Sequence, residues 1–273
     1  MMQSTPAFQS LVASFDSGRL VTGLAVVLAF VIGALLIPSS GHADGEGSFL
    51  DEFDTLNAAT WEPATSLPWY VGVPDVVPVV LDGRSALDLT MHYAANLQRV
   101  GYQTRTSFSW TSILAECVFK ALGPPNQSID GLMEIYLFNS TTQNYIVANV
   151  HFGTWGNLRQ VSFWSNLGPS TTQVLNSTLN YDGWYKLRVE AVASTATLLF
   201  YNETTNALLW QTSVPVGLSN LGSSFRICFA QYLGTPGGGN WIAHSALDRI
   251  QATSGTTPVE SSTWGLVKST FSN

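Results

Sequence analysis

The chain has 273 residues, 45% of them hydrophobic and 11% charged, against a usual charged share of about 25%, so its polarity comes mainly from Ser, Thr, Asn and Gln. Eighteen acids against eleven bases give a net charge of −7, and no basic run occurs. Nucleic acid and anionic membrane surfaces are thereby excluded as partners, because both demand clustered cations. In chain order, the first feature is the uncharged run Leu20 to Ile37, preceded by Arg19 and followed by Pro38-Ser39-Ser40-Gly41-His42-Ala43. A basic lead, an apolar stretch and a small-x-small end predict a secretory signal peptide cut after Ala43. At eighteen residues the run is also just long enough to be an uncleaved anchor, the only route by which the chain would touch a membrane. Under either reading the remainder is exported, secreted or held at the cell surface.

From residue 44 onwards the pattern is strands and turns. Period-two alternation and β-favouring residues predict strands at 48–56, 69–73, 76–81, 86–92, 102–110, 114–122, 132–138, 144–152, 160–166, 184–192, 196–201, 207–214, 225–233 and 241–252. Asp82-Gly83 marks a tight turn between two of them. No long segment keeps a helical period, and no linker or repeat divides residues 44–253. This predicts one all-β domain, a jelly-roll sandwich of two antiparallel sheets. The Pro/Ser/Thr-rich stretch that follows reads as a linker, and Trp264, Val267 and Phe271 are spaced for one side of a short helix, so 254–273 is expected to be a separate tail.

Segments 114–120, 132–138, 144–152 and 160–166 alternate and read as one sheet, the front, with one face apolar. That face supplies the expected core: Ile113, Ala115, Phe119, Met133, Ile135, Leu137, Ile146, Ala148, Val150, Val161 and Phe163. The opposite face collects Glu116, Glu134, Tyr136, Tyr145, Asn149, His151, Gln160 and Trp164. Flat aromatic rings can cover the apolar side of a pyranose, while amides and carboxylates reach its hydroxyls. Glu134, Tyr136, Tyr145, Asn149, His151, Gln160 and Trp164 are therefore the candidate ligand-binding residues.

Phe49-Leu50-Asp51-Glu52-Phe53-Asp54-Thr55-Leu56-Asn57 with Trp61 resembles the opening strand of the concanavalin A-like lectin and glucanase superfamily. The hairpin from Trp184-Tyr185-Lys186-Leu187-Arg188-Val189 to Leu209-Trp210 and the closing strand with Ala246-Leu247-Asp248-Arg249-Ile250 resemble it too. The resemblance spans residues 47–253. It implies a jelly roll with a convex back and a concave front, sugars along the front, and pairing of the first and last strands. Laminarinase-type members carry Glu-x-Asp-x-x-Glu, and a retaining mechanism needs such paired carboxylates. Aligning the central acid with Glu134 puts Leu132 and Leu137 where the nucleophile and acid belong, so no catalytic residues are assigned.

The expected function is an exported carbohydrate-recognition or surface-adhesion module whose partner is a polysaccharide or glycan. The alternatives are a glycan-degrading hydrolase or lyase using Glu134, and a structural envelope protein without soluble ligand. No cofactor is implied. Asp51, Glu52 and Asp54 form an acidic opening, near which the strand pairing implied by the resemblance would bring Asp248, but no calcium-loop pattern is present and the four histidines lack metal spacing, so no metal is assigned. Cys117 and Cys228, the only cysteines, are open to two readings, a disulfide permitted by export or two buried free thiols.

Overall fold

A computed structural model describes residues 47–92, 98–122, 130–153, 159–175, 178–233 and 242–255. Among these, in chain order, lie β1 (Ser48–Glu52), β2 (Trp61–Pro63), β3 (Tyr70–Gly72), β4 (Asp75–Leu81), β5 (Arg84–His92), β6 (Gln98–Thr104), β7 (Ile113–Ala121) and β8 (Asp130–Asn139). They are followed by β9 (Asn144–Gly153), β10 (Arg159–Ser165), β11 (Thr171–Val174), β12 (Trp184–Val192), β13 (Thr195–Asn202), β14 (Ala207–Val214), the one-turn helix α1 (Leu218–Leu221), β15 (Arg226–Leu233) and β16 (Ile242–Ser254). The back sheet runs β14-β13-β12-β7-β16-β5-β4, with β1 also paired to β16. The front sheet runs β11-β10-β9-β8-β15-β6-β2, with β3 added in parallel to β6.

Alternation sorts each strand's side chains into an apolar set that meets the other sheet and a set that faces away. All eleven expected core residues are at most 3% exposed and lie in the cluster between the sheets. Burying one such side chain stabilises by about 1.5–3 kcal/mol. Near the chain's start the cluster is aromatic. Trp61 meets Phe229 edge-on at 4.9 Å and Phe49 at 5.7 Å, joining β1 of the back sheet to β2 and β15 of the front.

The first strand does pair with the last, Ser48 opposite Thr253 and Glu52 opposite Arg249. The register slips between Leu247 and Arg249, so a bulge separates the core residues Leu247 and Ile250 by two polar ones. Asp82-Gly83 forms the expected hairpin turn. Both residues are left-handed, φ 53° and 78°, which the two central positions of a type I′ turn require.

Several sequence expectations need correction. β7 does not belong to the front with β8, β9 and β10 but is central in the back sheet, between β12 and β16. Its Glu116 therefore faces away from the other polar candidates, bonded to Arg188 at 2.6 Å and Gln251 at 2.8 Å. Strand 102–110 is displaced to Gln98–Thr104, and Phe108 makes only an isolated bridge to Phe225. The three-residue β2 and the polar edge strand β11, Thr-Thr-Gln-Val, carry too little alternation to be predicted. The signal or anchor region 1–43 and the tail from residue 256 lie outside the described residues.

Cys117 and Cys228 are free and fully buried in different places. Cys117 points from the back sheet into the inter-sheet core, whereas Cys228 lies on the opposite face of the front sheet. Burial pushes both thiols above the usual range, so neither is a ready thiolate. A thiol-reactive dye should label the native protein negligibly and label both cysteines, without reductant, once it is denatured. Two thiols blocked until a reductant is added would reveal a bridge instead.

Candidate functional site on the front sheet

Strand register brings all seven candidate residues onto the outer face of the front sheet. One row across the strands runs Arg99, Tyr232, Leu132, His151, Gln160 and Val174. The next runs Gly101, Ala230, Glu134, Asn149, Ser162 and Thr172, and the third Gln103, Cys228, Tyr136, Val147 and Trp164. Tyr145 follows opposite Phe138. The rows divide the face into a covered half over β6, β15, β8 and the β9 positions Tyr145, Val147 and Asn149, each at most 8% exposed, and an open half over β10 and β11 that His151 of β9 joins.

The covered half lies under the segment of residues 64–69, which joins β2 to β3. Ala64 and Leu67 pack onto Tyr136, Phe138, Cys228 and Ala230 in a second apolar cluster. Ala64 N–H donates to the Gly101 carbonyl at 3.0 Å and Arg99 N–H to the Trp69 carbonyl at 2.9 Å. Beneath the segment, Gly101 lets β6 lie close against β15. A Cβ there would lie 2.4 Å from the Phe229 carbonyl oxygen.

Beneath this segment, Arg99 and Glu134 form a bidentate ion pair, Nε to Oε2 at 2.6 Å and Nη2 to Oε1 at 3.1 Å, with side chains 1% and 0% exposed. Tyr136 Oη donates to Glu134 Oε2 at 2.9 Å, and Arg99 Nη1 donates to the Pro68 carbonyl at 2.6 Å. The guanidinium also lies 4.9–5.3 Å from the ring centroids of Tyr232, Tyr136 and Trp69. Burial, then the Glu134 carboxylate, holds the Tyr136 phenol well above its ordinary range, so it stays a donor. Glu134 and Tyr136 are thus parts of a buried polar network that fixes the segment. Both carboxylate oxygens of Glu134 are already engaged, so it is not presented as an acid to a ligand on this face.

The other candidates are exposed in different degrees. Trp164, His151 and Gln160 are partly exposed, whereas Tyr145 is 8% and Asn149 4% exposed. Tyr145 stands edge-on to Trp164, centroids 5.3 Å apart and planes at 85°, and edge-on to Tyr136 at 5.7 Å. This row of rings orients Trp164. Gln160 sits opposite His151, and the Ser162 and Thr172 hydroxyls share a 2.9 Å hydrogen bond. The outward positions of β9, β10 and β11 carry no Asp, Glu, Lys or Arg among the described residues. The arrangement can stack a flat apolar ligand face and exchange neutral hydrogen bonds with its rim. Arg99, Trp69 and Thr172 are contributors that alternation alone did not single out.

The back sheet's outer face is an ion-pair lattice. Arg84 bonds Asp248 at 2.9 Å, Lys186 approaches Glu203 at 3.4 Å, and Arg249 reaches both Glu203 and Glu116. Of the acidic opening, Asp51 turns inward to accept from Trp61 Nε1 at 2.6 Å, while Glu52, Asp54 and Asp248 line one 370 Å³ cleft together with the cations Arg84 and Arg249, Arg84 bonding Asp248.

No protein-family model and no curated protein sequence matches the chain. Solved structures resemble it in fold. Peanut lectin with a nine-residue peptide superposes at TM-score 0.53 and 12% identity, over 77% of this chain and 98% of that one. Lectin II of Ulex europaeus gives 0.51 at 12% identity over 76% and 97%. A native glycosidic hydrolase gives 0.52 at 11% identity over 80% and 100%. With two antiparallel sheets and paired first and last strands, this chain has the concanavalin A-like jelly-roll fold.

Proposed function

We propose that the protein is an exported carbohydrate-recognition module that binds a neutral glycan on the open half of its front sheet. The observation that carries this reading is Trp164, held edge-on by Tyr145 and followed along the face by the Ser162–Thr172 hydroxyl pair and then by His151 and Gln160, on strand positions without Asp, Glu, Lys or Arg among the described residues. That combination suits an uncharged, hydroxyl-rich ligand with one flat apolar face. Fold kinship with lectins is consistent with it, and the hydrophobic run at 20–37 supports export. Catalysis through Glu134 is disfavoured by its buried ion pair with Arg99.

The test is binding of the full chain to immobilised neutral polysaccharides such as laminarin, xylan, starch and agarose. Trp164→Ala should weaken binding about tenfold, the loss of roughly 1.4 kcal/mol of stacking, with the melting temperature little changed. Undiminished binding by the variant would remove this surface from consideration. Release of reducing ends or unsaturated products that stops in Glu134→Gln would favour the hydrolase or lyase alternative.

A further inference from the structure

Trp69, at the end of the segment over the covered half, is held in a way that packing does not explain. Its φ of 57° lies in the left-handed region, which a residue with a Cβ adopts only at a cost. Yet its side chain is 51% exposed, so little burial offsets that cost. Two bonds fix the backbone beside it, Arg99 N–H to the Trp69 carbonyl at 2.9 Å and Arg99 Nη1 to the Pro68 carbonyl at 2.6 Å. The indole lies 5.3 Å from the Arg99 guanidinium and 6.1 Å from the Tyr232 ring, planes tilted by 36°. A strained, immobilised and half-bare tryptophan is a preorganised stacking surface, since the ordering a ligand would otherwise have to impose is already in place.

We propose that Trp69 and Tyr232 form a second aromatic subsite on the front sheet, and that the ligand is an extended neutral polysaccharide chain reaching from there to Trp164. This rests on the carbohydrate reading above and adds to it the ligand's length. Tyr232 lies three strands from β10, Arg99 lies four, and the row containing both is two rows from Trp164. With about 4.8 Å between strands and about 3.3 Å per residue along them, the two subsites are roughly 20 Å apart. A single sugar ring cannot touch both. On β9, between the two, lie the partly exposed His151 and the nearly buried Asn149.

The experiment uses the full chain and a series of oligosaccharides, from the disaccharide upward, cut from whichever of laminarin, xylan, starch or agarose binds. Wild-type affinity should climb with length until both subsites are spanned, then level off. Trp164→Ala should weaken binding at every length. Trp69→Ala should leave the shortest oligosaccharides unaffected and weaken the long ones about tenfold, and Trp69→Phe should restore most of that loss. Trp69→Gly, at home in the left-handed region, should lose the same long-chain affinity without lowering the melting temperature. If Trp69→Ala shows the wild-type dependence on length, the second subsite is overturned, while a weakened Trp164→Ala leaves the single-site function standing. If neither variant changes binding, or nothing in the panel binds, both readings fall.

Discussion

Replacing Arg99 by Ala is expected to destabilise the protein by about 3–5 kcal/mol, the usual cost of leaving one partner of a buried ion pair uncompensated. The Glu134 carboxylate would lose both guanidinium bonds and keep only the Tyr136 hydroxyl in a site that is 0% exposed. The segment above would lose its tie to the Pro68 carbonyl, exposing Ala64 and Leu67 as well. Since about 1 kcal/mol shifts the melting temperature of a domain this size by roughly 2–4 °C, the loss should be visible in any thermal scan. Replacing both partners, Arg99→Met with Glu134→Leu, should recover much of the stability, because no isolated charge remains. A single-variant loss below about 1 kcal/mol, the range of a surface ion pair, would mean that the pair is open to solvent and does not pin the segment.

The second large effect is a dependence of stability on pH through Asp51. Burial pushes its carboxyl up to about 6, against the lowering influence of the Trp61 indole N–H, with Asp54 adding a smaller upward push. In the unfolded chain the same group titrates near its ordinary value, about 3.9. Below that value both states hold the proton and no penalty exists. As the pH rises from about 4 to 6, the unfolded state releases its proton first, so stability falls. Above about 6 the loss is complete, and a shift of roughly two units corresponds to about 3 kcal/mol. Asp51→Asn keeps an acceptor for Trp61 Nε1 without the charge. Denaturant unfolding should show the variant more stable than wild type at pH 7 and without the wild-type decline between pH 4 and 6. Parallel pH profiles for the two proteins would mean that Asp51 is well solvated.

These effects also mark where sequence and structure part. Alternation identified β8, β9 and β10, their inward residues and the shared outward face of all seven candidates, because side-chain direction in a strand is a local property with period two. Sheet membership is not local. β7 alternates just as its front-sheet counterparts do, and only its pairing with β12 and β16 puts Glu116 on the back. Exposure was equally hidden. Glu134 and Tyr136 share the outward parity of Trp164, but residues 64–69 come from elsewhere in the chain to cover them, and nothing near residue 134 announces Arg99 as the partner. Trp69 read as the start of a strand, yet its left-handed backbone ends the crossing segment immediately before β3.

A glycan held on the open half of the front sheet would be seen residue by residue by nuclear magnetic resonance of the full chain titrated with the polysaccharide that binds best. The indole N–H of Trp164 and the side-chain amides of Gln160 and Asn149 should shift on addition. The indole N–H of Trp184 on the back sheet, which donates to Asp82 at 2.8 Å, should stay in place. Shifts confined to Trp184 and its back-sheet neighbours, with Trp164 unmoved at saturation, would contradict that placement.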